Sequence, residues 1–328
     1  MSNQPVVEKR GWMRTLVRWL ATKYYPTIET TGSERIPQTG PVLLCANHAN
    51  SLIDPVLIGI VARRPVRFMA KAPLFDNPLL GPPMRALGMI PAYRGSDDAR
   101  DVRRNIESLD VGAKALADGL AMGIFPEGKS TDQAHLEMVR SGAARMALQA
   151  VAEGADDLLV IPIGITYECK DAFRSSVWIQ VAEPIDVAEC LAEHDGKERV
   201  ARRSLTQLLE ARLKDVVVHL DEPDWEPWLD DLQSLAEAPR DANKETSPPL
   251  KRRKRIADAI NYFFANDRPR AESVADDIEA YRERVQQAGL TIESPVLRLR
   301  GIRVFAEIAW ELFCLIFLFF PALAGTLQ

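Results

Sequence analysis

Four short segments carry residue types that could do chemistry together. In NHANSLIDP (Asn47–Pro55), His48 and Asp54 flank one predicted strand-to-helix turn. An imidazole held by a carboxylate can take a proton from a substrate hydroxyl, while the carboxylate fixes its tautomer and stabilises the imidazolium. No serine is needed if the nucleophile is the substrate's own alcohol. Pro55 suits the first turn of a helix, which makes Asp54 the expected N-cap. The plainer reading is a histidine that satisfies a loop beside an aspartate that caps.

In LGMIPAYRGS (Leu87–Ser96), Arg94 follows a short apolar edge, and in GIFPEGKS (Gly123–Ser130), Lys129 follows another. Both are candidates for gripping a phosphate, although an isolated Arg or Lys is usually surface. Glu127 shares the turn with Lys129 and could bond an acceptor hydroxyl. The fourth segment is VIPIGITYE (Val160–Glu168). GIFPEGKS also satisfies the nucleotide phosphate-loop pattern G-x-x-x-x-G-K-[ST]. Its physics is wrong for that role. Pro126 removes an N–H donor, Glu127 adds negative charge, Phe125 is bulky, and no apolar strand ending in Asp supplies a magnesium partner. There is no G-x-S-x-G for a serine hydrolase. A nucleotide-binding protein and a non-catalytic membrane scaffold are the alternatives to an enzyme.

Short apolar runs of strand length stand at Pro41–Ala46, Val66–Ala70, Ala121–Phe125, Leu158–Thr166 and Val177–Val181. Helical patterns lie at Pro55–Ala62, Ala99–Leu120, Gly142–Ala152 and Val200–Leu220. This alternation predicts an α/β fold, with a mixed or parallel sheet flanked by helices. The organisation reads as an interfacial helix region over 1–30, a main domain over 31–220 and an acidic, Pro-containing linker over 221–250, followed by a helical region over 251–303 and a membrane segment over 304–328. The basic run KRRKR (Lys251–Arg255) reads either as a headgroup-binding patch or as a solvated helix start.

Both ends point to a membrane. In KRGWMRTLVRWLATKY (Lys9–Tyr24), Met13, Leu16, Val17, Leu20 and Tyr24 follow helical spacing, Trp12 and Trp19 flank them, and Lys9, Arg10, Arg14, Arg18 and Lys23 supply the other side. That pattern describes a helix lying in an anionic headgroup layer. Val304–Leu327 is interrupted only by Glu307 and Glu311 and carries no charge from Leu312 onward, and Arg298, Arg300 and Arg303 stand before it, which predicts a membrane segment with the main domain on the cytoplasmic face. The abrupt end at Gln328 suggests a truncated chain or a hairpin missing its second half. Of 328 residues, 41 are Lys or Arg and 46 Asp or Glu, a net charge of -5 that argues against a nucleic-acid partner. The four cysteines are scattered, so neither a disulfide framework nor a zinc site is expected, and the four histidines show no metal-ligand spacing.

Taken in order, NHANSLID, GMIPAYR, FPEG and VIPIG resemble the glycerolipid acyltransferase family, whose members esterify glycerol 3-phosphate or lysophospholipids. The resemblance covers about residues 15–220. It implies His48 as general base with Asp54 as its partner. Arg94, Glu127 and Gly128 would bind the glycerol-phosphate end of the acceptor, and Pro162 would help shape the pocket. An acyl thioester, on CoA or an acyl carrier protein, would be the donor, with membrane lipids as partners, a tunnel for the acyl chain and no cofactor or metal. Five residues (Ala49–Ile53) separate His48 from Asp54, one more than in most members. Lys129-Ser130 stand where many members have Thr-Arg-Ser, which bears on Lys129 as a phosphate ligand. The longer spacing and HLEMVRSGAARMAL (His135–Leu148) look like the branch of fungal enzymes that acylate glycerol 3-phosphate or dihydroxyacetone phosphate, in which Arg145 is a further substrate-binding candidate beyond the FPEG turn.

Overall fold

VLLCA forms β2 (Val42–Ala46), a strand buried on both faces. Leu43 and Cys45 point into one apolar layer and Val42, Leu44 and Ala46 into the other. A continuous apolar run is what a central strand of a parallel sheet requires. The computed structural model describes residues 11–93, 99–237, 249–288 and 292, without the side chains of 11–13 and 99–101.

Around β2 the described chain builds β1 (Thr27–Thr31), β3 (Val66–Lys71), β4 (Ile90–Ala92), β5 (Ala121–Ile124), β6 (Leu159–Tyr167), β7 (Ser176–Val181) and β8 (Ile185–Asp186). The sheet order is β1-β7-β6-β2-β5-β3-β4, with β8 paired to β6. The β2, β5, β3 and β4 block is parallel and joins β6 in parallel, whereas β6 meets β7 and β8 antiparallel. The sheet is therefore mixed. Three strands, β1, β4 and β8, lacked an apolar run long enough to be assigned from the sequence. TIETT is polar because it lies at the sheet's edge, paired to β7 alone.

Helices cover both faces. On one side, α4 (Ala99–Ala117), α5 (Gly142–Ala152), α6 (Val187–Ala192) and α7 (Glu198–Val216) pack Leu116, Met146, Leu148 and Leu209 over Leu43 and Met122. On the other, α2 (Asp54–Ala62) places Leu57 and Ile58 against Leu44, Phe68 and Ile161. α3 (Gly81–Ala86) precedes β4.

The amphipathic N-terminal segment is helical, as α1 (Gly11–Tyr24), but its faces are not divided as the spacing predicted. Ala21 is buried, as is Tyr25 just beyond the helix, while Leu16, Trp19 and Leu20 are exposed. Arg18, expected on a solvated face, reaches Gly59 O and Ile60 O at 3.2 and 3.1 Å. The domain takes one side of the helix and leaves a narrower apolar stripe outside.

Of the expected linker over 221–250, residues 238–248 lie outside the described residues, and the stretch before them is folded. Pro223–Trp225 makes a 3-10 turn into α8 (Glu226–Glu237), and Trp225 and Trp228 stack on Phe264 of α9 (Pro249–Asn266) with ring centroids 4.1 and 5.6 Å apart. Aromatic burial outweighs the acidic, Pro-bearing composition. A second helix, α10 (Arg268–Gln287), follows α9, its start capped by the Asp267 carboxylate. The basic run opens α9 and is mostly paired, with only Arg255 exposed. Lys251 pairs with Glu29 at 3.2 Å and Arg253 with Asp230 at 2.6 Å, which braces α9 against β1 and α8, and the buried Lys254 pairs with Asp258 of the same helix at 2.8 Å. Among the described residues no helix is long and apolar enough to cross a membrane. The segment 304–328 lies outside the described residues.

Candidate active site

Parallel strands place their C-terminal ends on one edge, and the chain uses that edge to gather side chains. β2 ends at Ala46 and hands over directly to Asn47 and His48. Asn47 is anchored on the neighbouring strand. Its Oδ1 accepts the Ile165 N–H at 2.7 Å, and its Nδ2 donates to Ile165 O at 3.0 Å. A carboxamide satisfying both backbone groups of one β6 residue fixes where the next residue leaves the sheet.

His48 Nδ1 lies 2.9 Å from Asp54 Oδ2. An ionised carboxylate only accepts, so Nδ1 carries the proton and Nε2 keeps its lone pair. Nε2 has no partner among the described residues, and the side chain is 15% exposed. One face of the imidazole stacks on Phe125, centroids 3.8 Å apart and planes at 12°. Phe125 in turn lies parallel to Phe68, 6.1 Å away. Gly123 makes room for this stack, because a Cβ there would sit 2.2 Å from the Phe68 ring.

Asp54 is the first residue of α2 and fully buried, and it is not the N-cap that the Pro55 signal predicted. The cap position is Ile53, and the Asn50 side chain serves the turn instead, accepting weakly from Leu52 and Ile53 N–H at 3.3 and 3.4 Å. The Asp54 carboxylate is turned into the site, where it accepts from His48 Nδ1, from Asn50 N–H at 2.8 Å and from the Tyr167 hydroxyl. A buried carboxylate is tolerable only with such compensation. Tyr167 comes from the end of β6. Burial and the Asp54 charge push its hydroxyl far above the ordinary phenol range, so it remains a donor. Its ring lies 5.3 Å from that of Tyr25, which links α1 to the site.

The FPEG turn is the second wall. Glu127 was expected to meet an acceptor hydroxyl; instead it is 4% exposed, with Oε1 accepting the His48 N–H at 3.0 Å and Oε2 the Glu137 N–H at 3.2 Å. The carboxylate faces the protein because the turn needs those two amides satisfied. Burial pushes its pKa up to about 7, against the pull of the two N–H donors. Gly128 follows at φ 73°, a left-handed conformation that favours glycine, and its N–H closes the turn on Phe125 O at 3.1 Å. The Thr131 N–H reaches His48 O at 2.9 Å, so both backbone groups of His48 are held by this loop. The amides of Lys129 and Ser130, just before it, have no acceptor among the described residues.

The remaining sequence candidates are less central. Lys129 Nζ pairs with Glu137 at 2.6 Å. Arg145, on α5, pairs with Asp110 of α4 at 3.2 Å rather than joining the His48 cluster. Pro162 sits mid-strand in β6 opposite Cys45, between the residues that pair with β8 and those that pair with β7. A residue without an N–H fits that gap, so its place is in the sheet. Arg94 lies outside the described residues. Along the same edge, past β5, a groove of about 790 Å³ opens over the ends of β3 and β4, lined by Lys71, Phe75, Arg85, Met89, Tyr93 and Arg104, among others. Arg104 lies 5.4 Å from the Tyr93 ring centroid.

Sequence reading passed over Asn47, Tyr167 and the cationic groove. Asn47 and Tyr167 stood inside quoted segments, but nothing in their spacing tied them to His48, since their partners are on other strands.

Among known proteins, residues 27–166 match the family described as Acyltransferase. An uncharacterised acyltransferase of Schizosaccharomyces pombe is 21% identical over 81% of this chain. Glycerol-3-phosphate O-acyltransferase 1 of Saccharomyces cerevisiae is 32% identical over 31% of it, and a 1-acyl-sn-glycerol-3-phosphate acyltransferase of Borreliella burgdorferi is 28% identical over 51%. The chain spans 52%, 14% and 65% of those relatives' own lengths.

Proposed function

From the match of residues 27–166 to the Acyltransferase family, we propose that the chain is a glycerolipid acyltransferase that moves a fatty acyl group from a thioester to the hydroxyl of glycerol 3-phosphate or a lysophospholipid. The observation that carries this reading is His48 itself, with Nδ1 bound to a buried carboxylate and Nε2 unengaged at the carboxyl edge of the sheet.

In this reading His48 Nε2 takes the proton of the acceptor hydroxyl as its oxygen attacks the thioester carbonyl. Asp54 stabilises the imidazolium that forms, and Tyr167 and Asn50 keep Asp54 aligned. The amides of Lys129 and Ser130 are the donors offered to the tetrahedral oxyanion. Collapse expels the thiolate, which takes the proton back from His48. The Lys71, Arg85 and Arg104 groove, together with Arg94, receives the acceptor's phosphate, and holding it there aligns the hydroxyl. Lys129 and Arg145 join only by releasing Glu137 and Asp110. Glu127 and Gly128 act on the substrate indirectly, by positioning His48 and the loop amides. The donor, acyl-CoA or an acyl carrier protein, presents its acyl chain from the membrane side. The exposed stripe of Leu16, Trp19 and Leu20 on α1 supports work at a lipid surface.

Purified chain is incubated with acyl-CoA or acyl carrier protein and with radiolabelled glycerol 3-phosphate or 1-acylglycerol 3-phosphate. Acyl transfer to one of these acceptors that His48→Ala abolishes is the expected result. No transfer to either acceptor from either donor overturns the proposal.

A further inference from the structure

A second cationic cleft opens at the other end of the sheet. It is lined by Arg14, Gln38, Arg64, Pro65, Arg67, Leu120 and Ala121 and has a volume of about 230 Å³. Pro65 and Arg67 stand at the start of β3, and Leu120 and Ala121 at the start of β5. His48 follows the opposite end of β2, which pairs in parallel with β5 from Val42 and Ala121 onward, on the order of 15–20 Å away by strand rise. The cleft is therefore separate from the active edge.

Its charge is one-sided. Three of the lining residues are arginines and none is acidic. Arg64 is fixed by its own bonds, to Pro37 O at 2.9 Å and Gly40 O at 2.8 Å. Arg14 and Arg67, from α1 and β3, have no hydrogen-bond or ion-pair partner among the described residues. Burial and the neighbouring Arg67 and Arg18 charges hold the Arg14 guanidinium below its usual range. Gln38 is held too, donating to Ile36 O and Ala62 O. Half-buried guanidinium groups on separate rigid elements, converging on one small space, make a planar, fork-shaped receptor for tetrahedral oxyanions.

We infer that the Arg14–Arg64–Arg67 cleft is a binding site for a phosphate group, filled from a phospholipid headgroup or from free phosphate. The helix that supplies Arg14 also carries the exposed stripe of Leu16, Trp19 and Leu20. A phosphate seated in the cleft bridges α1 to β3 and neutralises their mutual repulsion, so that binding fixes the helix on the domain.

Two arms distinguish the sources. In one, inorganic phosphate is titrated into the full chain at constant ionic strength and followed by calorimetry. In the other, the chain is sedimented with phosphatidylcholine vesicles with and without phosphatidylglycerol. The variants are R14Q/R67Q, which removes both unpartnered forks, and R67K, which keeps charge without the fork. R103Q serves as a control for loss of one charge elsewhere, at an 84% exposed side chain on α4. The expected result is about a ten-fold or greater loss of affinity in R14Q/R67Q, a smaller loss in R67K and none in R103Q. Loss in both arms means that the phosphate group alone suffices, and loss only with anionic vesicles assigns the site to a headgroup. A wild type that binds in neither arm, a double variant that binds as well as wild type, or an equal loss in R103Q overturns the inference. Thermal melting checks that each variant folds; if R14Q/R67Q does not, R14Q alone and R67K carry the same test.

Discussion

The Tyr167 hydroxyl closes onto Oδ1 of Asp54, the oxygen that the His48 bond leaves open. The two residues are 113 positions apart in the chain, and they meet because β6 lies beside β2 in the sheet and ends at the same edge. With Asn50 N–H also on Oδ2, the carboxylate has donors on both oxygens and one orientation. The pair of His48 and Asp54 thus stands as part of a network whose members come from three different elements.

Removing the imidazole tests the centre of that network. His48→Ala should lower acyl transfer by about 10²–10⁴-fold, the usual weight of a general base. Asp54→Asn should cost a comparable factor and also stability, since an amide NH₂ cannot accept from the donors that now surround the carboxylate. Steady-state transfer rates and thermal melting of both variants check this.

Tyr167→Phe keeps the ring and deletes the donor. Because Asp54 is fully buried, its Oδ1 is then left without a partner. The loss should be about 1.5–3 kcal/mol of stability by denaturant unfolding, the range for a hydrogen bond to a charged group. Turnover should fall by less than in His48→Ala, since the imidazole and its Nδ1 bond remain.

Glu127 sets a pH dependence. Its pKa in the folded chain is raised to about 7, from an ordinary value near 4.5, chiefly by burial. The folded state therefore holds a proton that the unfolded chain has released across that interval, and wild-type stability should fall as pH rises from about 5 to about 7 and then level off. Glu127→Gln cannot titrate and should lack this slope. Melting curves of both proteins across that range decide it; parallel curves would rule the assignment out.

Gly128→Ala tests the turn. A side chain at φ 73° should cost about 1–2 kcal/mol, and the added Cβ would also come within 3.4 Å of Arg140 Nε. Gly128→Asn should be milder, because asparagine tolerates the left-handed region. Denaturant midpoints rank the three proteins, and a Gly128→Ala variant as stable as wild type would remove the argument.

Much of this molecule was legible from its residues alone. The apolar runs at Pro41–Ala46 and Leu158–Thr166 read as strands and became β2 and β6, and Pro55 marked the start of α2. His48 with Asp54, and the FPEG turn, are each short local motifs, so their order along the chain carried the resemblance to acyltransferases. What the residues alone did not decide was direction and partnership. Glu127 reads as a substrate contact until burial turns it onto the His48 and Glu137 amides. Arg145 and the KRRKR run read as free charge until α4, α8 and β1 bring carboxylates to them. Tyr167, Asn47 and the Arg14–Arg67 cleft exist as functional features only once strands and helices distant in sequence lie side by side. Periodicity reports which face of an element is buried, whereas hydrogen bonds and charge pairs depend on which other element packs there.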